Sequence, residues 1–417
     1  MAHHIHIQRI SHGILGIFVV VAVCSEHCCC IATTRDFFIW LNRGGDLRNT
    51  RSAREEKLIG PSTVGNLRLR WKFFARKDIS ATPAVANVVV YCSGELPLVE
   101  CLVWKQNLSE LTGLRGTTIV NVTLSRSTPM IAEKLLIVSI CGPVVVIAVN
   151  RSNGRLVWST QLDPHPRAVI TTSRTAYLGA FYVGVSSTEE GLPAVQCCSL
   201  RGTKHSTRAI LWQTYTLPDN AGELRGYDGA SIYGSSPAID PKRRLAYAAT
   251  GNHYTAPTKV RECQARQNNQ TIRQPCPTYA SGLTTDCPTR PNVDADFGQA
   301  PMLITISTNG TERDIAVVVQ MRGFAWAVDH DSGDIVWFRV KILWSTANPS
   351  NEIAPTPVFV ANGVMFACSV APEGPVFAMD AETGKILRSY NSGATVYGGI
   401  SISYGCIYHG NGYKLGL

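Results

Sequence analysis

The chain has 417 residues, of which 45% are hydrophobic and 17% charged, with a formal net charge of +9. That balance supports a large buried core and excludes a disordered chain. The 39 Lys and Arg residues are scattered, with no long basic run and no nucleic-acid motif, so nucleic acid is excluded as the expected partner. Gly (35) and Pro (22) are plentiful and the apolar runs are short. Many short strands joined by turns are predicted, rather than long helices.

The N-terminus comes first. Arg9 and several histidines precede an apolar stretch from Ile14 to Cys24. At about eleven residues it is too short for a bilayer, which needs about twenty, and it suits the apolar region of a secretory leader. Residues 1–30 are therefore read as a signal peptide, cleaved within the small-residue stretch Cys24–Ala32, with a hydrophobic first strand as the alternative. No membrane span is expected after its removal. His3, His4 and His6 fall in the removed segment.

Fourteen cysteines fit an oxidising compartment, although Cys24, Cys28, Cys29 and Cys30 lie in or near the leader. Cys263, Cys276 and Cys287 are candidate disulfide cysteines in a polar loop region. Asn-X-Ser/Thr sequons at Asn107, Asn121, Asn150, Asn269 and Asn309 point to a secreted, extracellular or cell-wall glycoprotein. Outside a cell the positive charge suits an anionic cell-wall polysaccharide.

Residues 31–417 are read as one repeat domain. Ala148-Val-Asn-Arg-Ser-Asn-Gly-Arg-Leu-Val-Trp158 has close copies at Ala327–Trp337 and Ala378–Arg388. The pattern is strand, Asp/Asn turn, Gly, then strand with a terminal Trp. The Gly suits a turn position with positive φ, and the Asp/Asn side chain can bond the turn backbone. Partial copies end at Trp71, Trp104, Trp212 and Trp344, and Trp104, Trp158 and Trp212 follow one another at equal spacing. A four-stranded propeller blade needs roughly 40–50 residues. The expectation is an all-β propeller with about six plausible blades, some incomplete. Trp337 and Trp344 are too close to hold a blade between them, and the Tyr91–Trp104 repeat lacks its hairpin.

The repeat resembles the tryptophan-docking motif of the pyrroloquinoline-quinone (PQQ) dependent quinoprotein alcohol dehydrogenases, in particular the plant proteins described as polyvinyl-alcohol-dehydrogenase-like. The segment Trp40–Arg51 and the following Asn66–Trp71 resemble that family's N-terminal pattern. The resemblance implies an eight-bladed parent fold, with blades missing or incomplete here. It also implies PQQ on the propeller axis beside Ca²⁺, an alcohol substrate, small or polymeric, and a separate electron acceptor, since no C-x-x-C-H haem motif occurs.

Carried over position by position, the resemblance assigns six residues. Glu190, at the end of Val183–Glu190, and Asn252, in Ala249-Thr-Gly-Asn252, are the implied calcium ligands, with the oxygen donors such a cation takes. Asp296, in Asp294-Ala-Asp-Phe-Gly, matches the catalytic base. Tyr233 stands where the family stacks a Trp on the quinone. Arg126 is the implied contact to a PQQ carboxylate. Met321 stands where the family has a Lys or Arg, leaving Arg322 as the neighbouring cation. Cys197 and Cys198 are read as structural or as paired elsewhere. The activity implied is alcohol oxidation. The alternative, motivated by Met321, Tyr233 and the incomplete blades, is a non-catalytic propeller that binds a cell-wall polysaccharide or a protein.

Overall fold

The computed structural model describes residues 18–24, 39–75, 78–86, 89–92, 103–120, 123–189, 198–217, 226–234, 236–258, 262, 276–277, 283–284, 296–308, 310–321, 324–338 and 343–412. These are almost entirely strand and turn, with one short α-helix, Leu108–Thr112, and a 3-10 turn, Val64–Asn66. The strands form antiparallel meanders set side by side as a β-propeller.

Three sheets are complete four-stranded meanders: 130–163, 302–338 and 359–391. A fourth, 175–215, carries the same four strands plus Ala168–Val169 on one edge. Two positions hold only two strands, Ala84–Ala86 with Val89–Tyr91 and Ala238–Asp240 with Leu245–Tyr247. The inner strands touch in sequence: Ser401–Ser403 on Ala84–Ala86, then Met130–Ala132, Thr175–Tyr177, Ala238–Asp240 and Met302–Thr308. Besides two small pairs, Asp228–Gly229 with His253–Thr255 and Cys276–Pro277 with Leu283–Thr284, the described residues thus occupy seven blade positions, against about six expected. Ala238–Tyr247 carries no Trp hairpin and so shows no repeat in the sequence, whereas Ala84–Tyr91 leads into the incomplete Tyr91–Trp104 repeat.

The seventh position joins the two ends of the chain. Arg68–Ala75 and the hairpin 401–409 flank Phe18–Cys24, which runs antiparallel to both neighbours. This strand lies within the stretch read above as a leader. Val- and Phe-rich segments suit a buried strand and an apolar leader core equally.

The core follows from the sequence. Val144–Asn150 is an unbroken apolar run apart from its last residue, and it is buried on both faces between neighbouring sheets. The adjoining outer strand, Leu156–Asp163, is mostly exposed and buries Trp158 and Leu162. The repeated turns form as the sequence requires. Gly154, Gly333 and Gly384 have φ of 71°, 76° and 73°. Oδ1 of Asn150, Asp329 and Asp380 accepts backbone N–H bonds from within the turn that follows.

Each docked Trp reaches the corresponding turn of the next sheet. The Trp104 indole N–H donates to the Arg151 carbonyl (2.7 Å), Trp158 to His205 (2.9 Å) and Trp344 to Ala381 (3.2 Å). Trp158 is 7% exposed. Trp71, Trp212 and Trp337 are 40%, 39% and 39% exposed. The first two precede the two-stranded positions, and Trp337 precedes the place where Trp344 already docks on the 359–391 sheet. The incomplete blades therefore leave Trp71 and Trp212 without their turns, and Trp344 displaces Trp337 from its own.

The segment 40–53 crosses the centre of the ring. Trp40 and Val85 exchange two backbone bonds of 2.9 Å, and the carbonyls of Leu41, Leu47, Arg48 and Arg51 accept from Ile131, Ile239, Leu303 and Val360. It satisfies inner-edge N–H groups of five sheets that would otherwise lack a partner.

Candidate functional site

The site gathers around Asp296. Its Oδ1 accepts the backbone N–H of Asn252 at 2.5 Å, and its Oδ2 accepts the Tyr233 hydroxyl. The Asp296 carbonyl accepts the Met321 N–H at 2.8 Å, and Phe297 N–H donates to the Thr250 carbonyl at 3.1 Å. Three sequence-predicted residues, Tyr233, Asn252 and Asp296, are thereby brought together from separate segments of the chain. Two donors fix the direction of the carboxylate.

Glycines permit this approach. A Cβ on Gly251 would lie 2.9 Å from the Tyr233 ring and 3.2 Å from Asp296 Oδ2, so only a bare backbone fits between them. Gly234, at φ 87°, passes so close to the Gly298 carbonyl that no side chain fits. The strand end that precedes Glu190 lies alongside, since Tyr254 donates to the Ser187 carbonyl (3.0 Å) and Ser186 to that of Ile232 (2.8 Å).

Half-buried positive charge adjoins this group. Arg43 donates through Nη1 to the Gly234 carbonyl, and its Nε has no hydrogen-bond partner. Arg51 donates to the Ala300 carbonyl at 3.1 Å. Burial lowers the pKa of each to about 10, and the charge of Arg43 further lowers that of Arg51. Sequence reasoning missed both. The signal was the Gly44-Gly45 pair beside Arg43, where a Cβ on Gly44 would collide with Asn49.

No family model matches the chain. Two curated relatives, both named polyvinylalcohol dehydrogenase, do. One, from a Pseudomonas species, is 29% identical over 220 residues, covering 46% of this chain and 34% of the relative. The other, from a Sphingopyxis species, is 33% identical over 125 residues, covering 26% of this chain and 19% of the relative. The chain therefore spans about a third and a fifth of the lengths of these relatives. Among solved structures, a europium-containing methanol dehydrogenase superposes with a TM-score of 0.62 at 14% identity, covering 88% of this chain and 87% of that one. The quinohemoprotein alcohol dehydrogenase from Comamonas testosteroni gives 0.61 at 14% identity, covering 87% and 74%.

The chain is similar in sequence to two polyvinylalcohol dehydrogenases and shares its fold with quinoprotein alcohol dehydrogenases.

Residues carried over from that family fall into three groups. Tyr233, Asn252 and Asp296 converge. Arg126 lies near Asp78 and Cys141. Burial raises the pKa of both groups, and the Arg126 charge opposes the shift. Glu190 and Arg322 lie outside the described residues, as do Cys197, Cys263 and Cys287, while Cys198 is buried. Among the described residues there is no cluster of three or more His, Cys, Asp or Glu side chains able to hold a metal. Nor is any described helix long and apolar enough to cross a membrane.

The donors present fit a quinoprotein site in kind. The Asp296 carboxylate and the Asn252 side chain supply the oxygens a hard cation takes. Tyr233 offers an aromatic face, and Arg43 offers positive charge for an acidic ligand. The uncharged Met321 departs from the family, and it is 63% exposed.

Proposed function

We propose that the chain is a secreted alcohol dehydrogenase-like quinoprotein that binds PQQ and calcium and oxidises small or polymeric alcohols. The observation that carries this reading is the convergence of Tyr233, Asn252 and Asp296 within a propeller related to polyvinylalcohol dehydrogenases. Bound PQQ would supply the hydride acceptor, and bound calcium would polarise it. Asn252 and Glu190 hold the cation. Asp296 accepts the alcohol proton through the carboxylate that Tyr233 and the Asn252 amide hold in place. Arg126, Tyr233 and Arg322 contact the cofactor. Electrons leave to a separate acceptor. Residues 1–30 serve as the leader, and the sequons carry glycans.

The test is calorimetric titration of PQQ into the folded secreted chain, with and without Ca²⁺, followed by a dye-linked alcohol screen. Calcium-dependent binding at micromolar concentrations or tighter, with alcohol turnover, is the expected result. Folded protein that binds no PQQ in either condition overturns the reading.

A second reading rests on different observations. Asp296 already has a donor on each oxygen, Met321 is uncharged, and a cleft of about 620 Å³ is lined by Asp163, His165, Arg201, Gln213 and Tyr215. A polar cleft with an aromatic wall suits a sugar. On this reading the propeller binds an anionic cell-wall polysaccharide without redox turnover. Glycan-array binding by protein that takes up no PQQ supports it. Absence of binding to any glycan or wall extract removes it.

A further inference from the structure

Two of the charged clusters outside the candidate site are explained by structure alone. Arg174 is fully buried, and its guanidinium donates to the Ser139 and Ser127 hydroxyls and to the carbonyls of Thr128 and Ile137. Arg243 bonds three aspartates. The ion pair of Arg201 with Asp163 differs, because it lines the cleft of about 620 Å³ where the 130–163 and 175–215 sheets meet.

Strand register builds this cleft. Arg201 pairs with Gln213, and Ser199 with Tyr215, which sets Arg201, Gln213 and Tyr215 on one face of their sheet. The neighbouring sheet ends at Asp163, and the turn Pro164-His165-Pro166 forms the opposite wall. Asp163 Oδ2 accepts from Arg201 Nη2 at 2.7 Å, and its Oδ1 accepts the His165 backbone N–H at 2.9 Å. Each carboxylate oxygen can accept a second bond. Arg201 Nε donates to the Ser199 hydroxyl at 3.2 Å, and its Nη1 has no hydrogen-bond partner among the described residues. The two side chains are only 4% and 13% exposed.

The charges select the ligand. Arg201 and Asp163 cancel, and Glu189 adds a second carboxylate 3.9 Å from His165. A polyanion meets two carboxylates here, and a polycation meets the guanidinium. An apolar ligand covers the ion pair without bonding it, which is unfavourable. A neutral hydroxyl group satisfies both halves, donating to Asp163 and accepting from Arg201. Pro164, Pro166, Ile210 and the Tyr215 ring supply the apolar surface that the C–H face of a sugar ring covers.

We infer that this cleft binds a neutral, hydroxyl-rich sugar unit of a polysaccharide, held by Asp163, Arg201 and Gln213 against Tyr215. The inference rests on the second reading for a polysaccharide partner. It goes beyond that reading by assigning the cleft to a neutral unit, which leaves anionic units to the basic surface. Redox chemistry plays no part in it.

The experiment is calorimetric titration of two neutral probes, cellohexaose and mannohexaose, and of polygalacturonate into the folded secreted chain. The same titrations are run on Gln213→Ala and Tyr215→Ala, which change exposed positions of an outer strand and leave the core untouched. At least one neutral probe binds the wild type, and each substitution weakens it by about fivefold or more, as for one lost hydrogen bond or one lost ring contact. Neutral-probe binding that is unchanged in both variants overturns the inference and leaves the second reading standing. Polygalacturonate binding without neutral-probe binding does the same. Neutral-probe binding that weakens in the variants, with no affinity for polygalacturonate, supports the inference and removes the anionic partner. Failure of the folded wild type to bind any of the three overturns the inference.

Discussion

The indole N–H of Trp158 donates to the carbonyl of His205, 2.9 Å away in the next sheet, and its ring stacks on Phe181 at 6.2 Å. Trp212 is the next tryptophan along the repeat, and it precedes a sheet reduced to two strands. Replacing Trp158 with Ala empties a packed space and should cost about 3–5 kcal/mol. Replacing Trp212 with Ala removes a half-exposed ring and should cost about 1 kcal/mol or less. Urea denaturation of the two variants makes the comparison. Equal losses would show that Trp212, which meets the Tyr182 ring at 6.0 Å and Gly202 in its own sheet, is packed as tightly as Trp158.

Tyr233→Phe keeps the aromatic face and removes the hydroxyl that holds Asp296 Oδ2. On the proposed reading this substitution frees the carboxylate to rotate. Turnover of alcohol should fall by about tenfold, as for one lost hydrogen bond to a charged group, with PQQ affinity little changed. Asp296→Asn should abolish turnover. A Tyr233→Phe protein with full kcat would make the tyrosine a mere wall of the site.

Much of this architecture was legible because a propeller writes its period into the chain. The Trp hairpin at 148–158 fixed the strand–turn–strand unit, and its Gly154 has the positive φ the pattern demanded. Tyr233, Asn252 and Asp296 were legible through resemblance alone, because residues 44 and 63 positions apart meet only when the segments flanking adjacent sheets pack together. Arg43 and Arg51 were not legible. Their approach to the Gly234 and Ala300 carbonyls is a property of three-dimensional neighbours and not of spacing. The sheet at 238–247 was not legible because the outer strands carry the Trp signature, and none is part of that sheet.

Processing of the N-terminus is open to direct measurement. The leader reading expects the secreted chain to begin within residues 25–32. Phe18–Cys24 would then be gone from between Arg68–Ala75 and Cys406–His409. Intact mass and N-terminal sequencing decide it. A mature chain that retains Phe18 would make this segment a permanent strand of the sheet and would end the leader reading.

Arg243 ties the two-stranded sheet at 238–247 to its neighbour. It bonds Asp240 in its own sheet at 2.9 Å, and Asp314 and Asp331 in the next sheet at 2.8 and 2.6 Å. The Thr305 hydroxyl and the Arg243 guanidinium hold the Asp314 carboxyl well below the usual carboxylate range, and Arg243 likewise lowers that of Asp331. A carboxylate with a depressed folded pKa contributes stability that is present above its unfolded value, near 4, and is lost as the pH falls below it. Arg243→Gln leaves three carboxylates facing one another without their cation. The variant should therefore be clearly less stable than the wild type at pH 7.5, and the gap should shrink as the pH falls from about 4 towards 3, where unpaired carboxylates take up protons. Urea midpoints for both proteins at pH 7.5 and pH 3.5 test this. A gap that stays constant across that range would mean that Arg243 acts through packing of its stem and not through charge.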